Sequence, residues 1–166
     1  MNPILYLLMR NDLPSMNPGK LAAQAAHVAN KFIEDIRDQK TQDIWSYFND
    51  MLKEWQGDRG FGTTITLGID GHSLACVNER NIPDDSMFGP VSDPTYPMLI
   101  PFEAGQALKF WGWKDDDNLQ LYNNIILNEE NQTAILLRDE LVGAYLFGDK
   151  ESLSKWDLIN NLSLYP

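Results

Sequence analysis

The stretch GKLAAQAAH, Gly19 to His27, sets a lysine, an amide and an imidazole among small residues. A helix turns by about 100° per residue. Lys20, Gln24, His27 and Lys31 stand at i, i+4, i+7 and i+11. Relative to Lys20 they point to about 0°, 40°, −20° and 20°, so four polar groups share one narrow stripe. Lys20 also falls in the first turn of the helix, where free backbone N–H groups and the dipole favour an anion. A lysine there opposes the dipole, so helix stability does not account for it, whereas binding a phosphate would. The same spacing also suits a plain solvated helix face, and a lone histidine suits a structural role. Pattern alone leaves the two readings even.

The elements around this stripe follow from periodicity and punctuation. Ile4 to Met9 is continuously apolar, as expected of a central strand covered on both faces. Asn17 followed by Pro18 is a helix start, with an N-cap acceptor and a proline at the first helical position. The helix is expected to run to about Arg37, with Leu21, Ala25, Val28, Phe32 and Ile36 on its apolar face. Its alanines are expected to let it approach a sheet closely. A second helix, capped by Thr41, follows from the spacing of Ile44, Trp45, Phe48, Leu52 and Trp55, and Gly57 to Gly62 ends it.

Thr63 to Ile69 alternates and is β-branched, so it reads as a strand. Ser73 to Asn78 fits either a short helix or the return strand of a hairpin. Pro83 to Pro101 is rich in Pro, Asp and Ser, with Val91 expected in a short strand before Asp93. Thr133 to Arg138 and Val142 to Phe147 read as two strands, Ser152 to Asn160 as an amphipathic helix, and Leu162 to Tyr165 as a final strand. This order indicates an α/β sandwich in a single domain, residues 1–166.

Composition bounds the function. The chain has 166 residues, 43% of them hydrophobic, enough for one domain with a sizeable core. Cys76 is the single cysteine, so no internal disulfide and no cysteine-based zinc site is possible. His27 and His72 are the two histidines, too few for a histidine-rich metal site. The apolar start ends at Arg10, too short for a membrane span, and has neither a basic n-region nor a cleavage site. A cytoplasmic location follows as the default. Residues 1–60 hold 7 Lys and Arg against 8 Asp and Glu, while residues 61–166 hold 6 against 16. The acidic field as a whole repels nucleic acid, so any RNA contact must use a local patch in the N-terminal part.

Leu7 to His27, LLMRNDLPSMNPGKLAAQAAH, resembles the opening of the archaeal and eukaryotic (second) type of peptidyl-tRNA hydrolase. Arg10, Asp12-Leu13, Met16, Gly19-Lys20, Gln24 and His27 carry the resemblance, and Trp55 near the end of the second helix fits it. A second patch, VSDPTYP, is similar to the family's Asp-Ala-Gly-x-Thr-Gln motif. Asp93 matches, Pro94 and Thr95 replace Ala-Gly, and Pro97 stands where the family has threonine. Val142 to Pro166 is similar to the family's ending, with Gly148-Asp149 in place of Gly-Pro. Between the second and third patches lie roughly 40 residues beyond the usual connection of about 4–6. Residues 98–140 are therefore a family-atypical insertion.

The resemblance implies a mixed sheet of four strands, or slightly more, between helices, and a homodimer. It implies hydrolysis of the ester joining a peptide to the 3′ ribose of tRNA, without metal or cofactor. Lys20 would bind phosphate or the developing oxyanion, His27 would orient or relay a proton, and Asp93 would position or activate water. Gly19, Gln24, Lys31 and Thr95 would contribute to binding. The altered motif at Asp93 and the acidic second half suit an alternative: an impaired member that binds tRNA, a nucleotide or a protein, the last through 98–140. There Phe110, Trp111 and Trp113, between Lys109 and Lys114, could stack on bases, anchor a partner or fill a core.

Overall fold

A computed structural model describes residues 1–38, 44–57, 60–77, 81–111 and 125–165. The chain divides into two compact units. The first comprises Met1–Val91 and Val142–Pro166, and the second Ser92–Leu141. The expected Thr41 cap, Asn78, Trp113, Lys114 and the rest of 112–124 lie outside the described residues, as do the side chains of Ile44, Trp45, Phe110 and Trp111.

The fold is α/β, with one open mixed sheet of six strands flanked by helices. Strand β1 is Pro3–Arg10, β2 Thr64–Ile69, β3 Ser86–Ile100, β4 Ile125–Asn128, β5 Thr133–Asp149 and β6 Ser163–Leu164. Their order is β3-β5-β1-β2-β6, with β4 also paired to β5. β1 runs parallel to β2, with Leu5 opposite Thr64 and Arg10 opposite Ile69. It runs antiparallel to β5, with Pro3 opposite Asp149 and Leu7 opposite Tyr145. All eight residues of β1 are buried, which is why Ile4 to Met9 is continuously apolar rather than alternating.

Helix α1 is Pro18–Asp38 and α2 is Ile44–Gln56. Both pack on β1. Val28, Phe32 and Ile36 from α1, with Phe48 and Met51 from α2, close over Leu5, Leu7 and Met9 of β1 and Tyr145 and Phe147 of β5. The Phe32 ring lies 4.8 Å from Phe147, 5.4 Å from Tyr145 and 5.8 Å from Trp55, centre to centre. Trp55 also donates its indole N–H to the Thr63 carbonyl at 2.9 Å. Gly57, at φ 49°, takes the left-handed conformation that ends α2. The short helix α3, Gly71–Cys76, packs on the β1 side as well. It answers the open choice in favour of helix as far as Cys76, with the Asp70 carboxylate capping the Ser73 N–H.

Three expectations are corrected. The proline-rich stretch 83–101 is chiefly β3, a 15-residue strand containing Pro90, Pro94 and Pro97. Its place at the end of the strand order explains this, because an edge strand can omit ladder donors. The two strands expected over 133–147 are one continuous strand, β5. The expected helix over 152–160 is two short ones, α5 at Lys150–Leu153 and α6 at Asp157–Asn161. Asp149 caps α5 by accepting the Glu151 N–H at 3.0 Å, and its other oxygen accepts the Asn2 N–H at 2.7 Å. The Asn2 bond is the chief reason this carboxyl sits below its ordinary pKa.

In the second unit α4, Phe102–Trp111, packs on β4. Gly105 permits that approach, since a Cβ there would stand 2.5 Å from the Ala134 Cβ and 3.0 Å from Leu127 Cδ2. Tyr96, Ile125 and Ala134 are buried.

Phe32 touches three aromatic neighbours at the middle of the first unit's core. Phe32→Ala should therefore cost about 3–5 kcal/mol, the usual range for a buried phenylalanine. Urea unfolding of wild type and variant measures it. A loss below about 1 kcal/mol would mean that α1 does not depend on this contact.

Candidate functional site

The site begins where β1 hands the chain to α1. The Asn17 side chain accepts the Lys20 N–H at 3.0 Å, and its carbonyl accepts the Leu21 N–H at 2.8 Å. This is the expected N-cap, followed by Pro18 at the first helical position. A Cβ at Gly19 would meet Asn17 Oδ1 at 3.4 Å, an ordinary contact, so packing does not dictate the glycine.

Because Val28, Phe32 and Ile36 face the sheet, the stripe falls along the margin of the buried face. Gln24 is buried, Lys20 and Lys31 are half-buried, and His27 is exposed. The alanines behave differently from the expectation of close packing. Ala22, Ala23 and Ala26 are exposed, and Ala25 and Ala29 are half-buried. Their small side chains therefore leave the solvent side of α1 low around Lys20 and His27.

The last stripe residue is engaged. Lys31 Nζ donates to Asp35 Oδ1 at 2.6 Å. The Tyr145 hydroxyl donates to Asp35 Oδ2 at 2.7 Å. Burial, then the Asp35 hydrogen bond and charge, push the Tyr145 phenol far above its ordinary pKa, so it remains a donor at any working pH. Pattern reading passes over Asp35 and Tyr145. The i,i+4 spacing of Lys31 and Asp35 is a usable signal, but a tyrosine 110 positions away gives none.

The end of β1 carries a second polar knot. The Arg10 guanidinium, buried at the strand end, donates to both oxygens of Asp12. Asp12 Oδ2 also accepts the Gly71 N–H at 3.0 Å, joining the loop before α1 to the start of α3. A Cβ on Gly71 would lie 2.5 Å from Arg10 Cζ, so the guanidinium needs glycine there. The Tyr165 hydroxyl adds a 3.1 Å bond to the Arg10 carbonyl.

Asp93 and Thr95 belong to the second unit. Asp93 Oδ1 accepts the Thr95 N–H at 2.9 Å and the Thr95 hydroxyl at 3.1 Å. The altered motif thus brings a hydroxyl onto its own aspartate. On α3 the Cys76 Sγ lies 3.9 Å from His72 Nε2, an i,i+4 pair that spacing could have revealed. It sits at the C-terminal turn of a six-residue helix. Among the described residues no group of three or more His, Cys, Asp and Glu side chains is arranged to hold a metal ion. No helix among them is long and apolar enough to cross a membrane.

Residues 4–74 match the family model described as Peptidyl-tRNA hydrolase PTH2. Over that stretch the chain is similar to the peptidyl-tRNA hydrolase PTH2 family. The matched segment holds Arg10, Asp12, Gly19, Lys20, Gln24, His27 and Lys31, while Asp93 and Thr95 lie beyond it. No curated protein and no solved structure matches the chain.

The Asp12 knot has a pH signature. Partial burial works to raise the Asp12 carboxyl, but the Arg10 hydrogen bond, the Gly71 N–H and the Arg10 charge outweigh it and hold the group below its ordinary value. A carboxylate depressed in the folded state adds stability above its unfolded pKa of about 3.9, and loses it as pH falls through the lower folded value. The stability gap between wild type and Asp12→Asn should therefore be widest near neutrality and close below about pH 4. Urea midpoints across that range check the sign. A gap that widens on acidification would contradict it.

Proposed function

We propose that this protein hydrolyses the ester between a peptide and the 3′ ribose of tRNA. The observation that carries the reading is the Asn17-capped start of α1, which presents Lys20 in its first turn and His27 on the same stripe within the segment matching the family. Ester hydrolysis needs an oriented water, a base and a donor for the oxyanion. Lys20, in the first turn of α1, binds a tRNA phosphate or the developing oxyanion through its ammonium. His27 orients the attacking water or relays its proton. Asp93, held by Thr95, positions or activates water. Gly19 leaves room for the substrate backbone, and Gln24 and Lys31 line the rest of the stripe. The reaction uses no metal or cofactor and is carried out in the cytoplasm by a homodimer, as in the family the chain resembles.

Release of labelled peptide from peptidyl-tRNA tests the reading. Lys20→Ala and Asp93→Ala should each slow release by about 10²-fold, the usual scale for removing one oxyanion donor or one general base. Rates equal to wild type for either variant would sink that residue's part, and equal rates for both would sink the hydrolase reading.

A second reading is favoured by one feature of the second unit. Leu99 is 71% exposed and Ile126 is 52% exposed, two apolar side chains that a protein partner could cover. In this reading segment 98–140 docks a protein partner, and the chain acts as a binding module. Leu99→Asp with Ile126→Asp should then remove a partner captured by the wild-type chain. An unchanged set of captured proteins counts against it.

A further inference from the structure

We propose that Asp35 is a positioning residue for the polar stripe of α1: it holds the Lys31 ammonium in place and ties that end of the stripe to β5 through Tyr145. What the stripe binds rests on the hydrolase reading above.

An exposed i,i+4 ion pair on a helix is weak and exchanges readily with water. This pair differs because its carboxylate is only 18% exposed and has both oxygens committed. Lys31 Nζ lies 2.6 Å from Oδ1, and the Tyr145 hydroxyl lies 2.7 Å from Oδ2. The carboxylate cannot swing away from Lys31 without breaking the second bond. Tyr145 is itself enclosed by the core. It is fully buried, stands opposite Leu7 in the β1–β5 register and packs on Phe32 at 5.4 Å.

Gly89 of β3 completes the arrangement. A Cβ there would stand 2.2 Å from Tyr145 Cε1 and 3.0 Å from Asp35 Oδ2, so the glycine leaves the space that the tyrosine and carboxylate fill. The chain thus commits a half-buried carboxylate, a buried tyrosine and a glycine to fixing one lysine. A free lysine loses much rotamer freedom when it grips an anion, and one already held loses less. The expected kinetic mark is therefore on binding rather than on the chemical step.

The test uses the whole chain. Peptide release from peptidyl-tRNA is measured as kcat and KM for wild type, Asp35→Asn, Lys31→Met and the double variant, with thermal unfolding of each. In parallel, mass spectrometry follows acetylation of Lys31 by acetic anhydride, relative to Lys53, whose partner Asp50 is exposed. Asp35→Asn should raise KM about tenfold while kcat stays within about twofold. The double variant should be no worse than Lys31→Met alone. Lys31 acetylation should quicken several-fold on loss of Asp35.

An unchanged KM in a folded Asp35→Asn variant overturns the proposal, and so does an unchanged acetylation ratio. Should Asp35→Asn fail to fold, Tyr145→Phe replaces it. A KM raised about threefold then supports the proposal and an unchanged KM overturns it. A wild-type chain that releases no peptide overturns the hydrolase reading instead. The acetylation ratio then decides alone whether Asp35 holds Lys31, and equal rates overturn the proposal.

Discussion

The burial of one face of α1 against β1 and β5 is the contact on which the first unit depends. Val28, Phe32 and Ile36 are removed from water by Leu5, Leu7, Met9, Tyr145 and Phe147. Each such side chain contributes about 1.5–3 kcal/mol, enough to fix the rotation of a helix about its axis. Once that rotation is fixed, every other side chain of α1 has an assigned direction. Gln24 goes to the buried margin, His27 to solvent, and Lys20 and Lys31 to the edge between them. The stripe is thus a by-product of apolar packing, and its chemistry is inherited from the core beneath it.

Two carboxylates then convert this margin from a loose solvated edge into an ordered one. Asp12 gathers Arg10 and the Gly71 N–H at the end of β1, where the chain turns toward α1. Asp35 gathers Lys31 and Tyr145 farther along the same helix. In both cases a glycine makes the approach possible, because a Cβ at Gly71 or Gly89 would collide with the partners. Both knots join residues near in sequence to one contributed from far along the chain. A buried or half-buried polar group must be paired, and both knots meet that need.

The second unit obeys different rules. It is built from the far half of β3, α4, β4 and the first half of β5, with Gly105 allowing the helix to sit against Ala134 and Leu127. Its prolines are tolerated because β3 ends the strand order, where missing donors cost no ladder bond. Composition left room for only a short strand here, since Pro, Asp and Ser signal breaks in the absence of a known edge. The same ambiguity divided β5 in two: Arg138, Asp139 and Glu140 interrupt its apolar run without interrupting the strand. The Asp93–Thr95 bond was likewise invisible as a pairing, although both residues stood out by type.

The sequence by itself determined the central buried strand, the capped start of α1, the face that α1 buries and the stripe at Lys20, Gln24, His27 and Lys31. These rest on local rules: a continuous apolar run, an N-cap followed by proline, and a turn of about 100° per residue. It also carried the family resemblance, strongest from Leu7 to His27. Only the tertiary structure decided that Tyr145 would meet Asp35 and that Gly71 would meet Arg10. It alone made 86–100 an edge strand and left Ala22, Ala23 and Ala26 facing solvent. These outcomes depend on strand order and register between segments separated by tens of residues. Periodicity says which side of a helix is buried, but the burying partner, and the polar groups that arrive with it, come from the sheet.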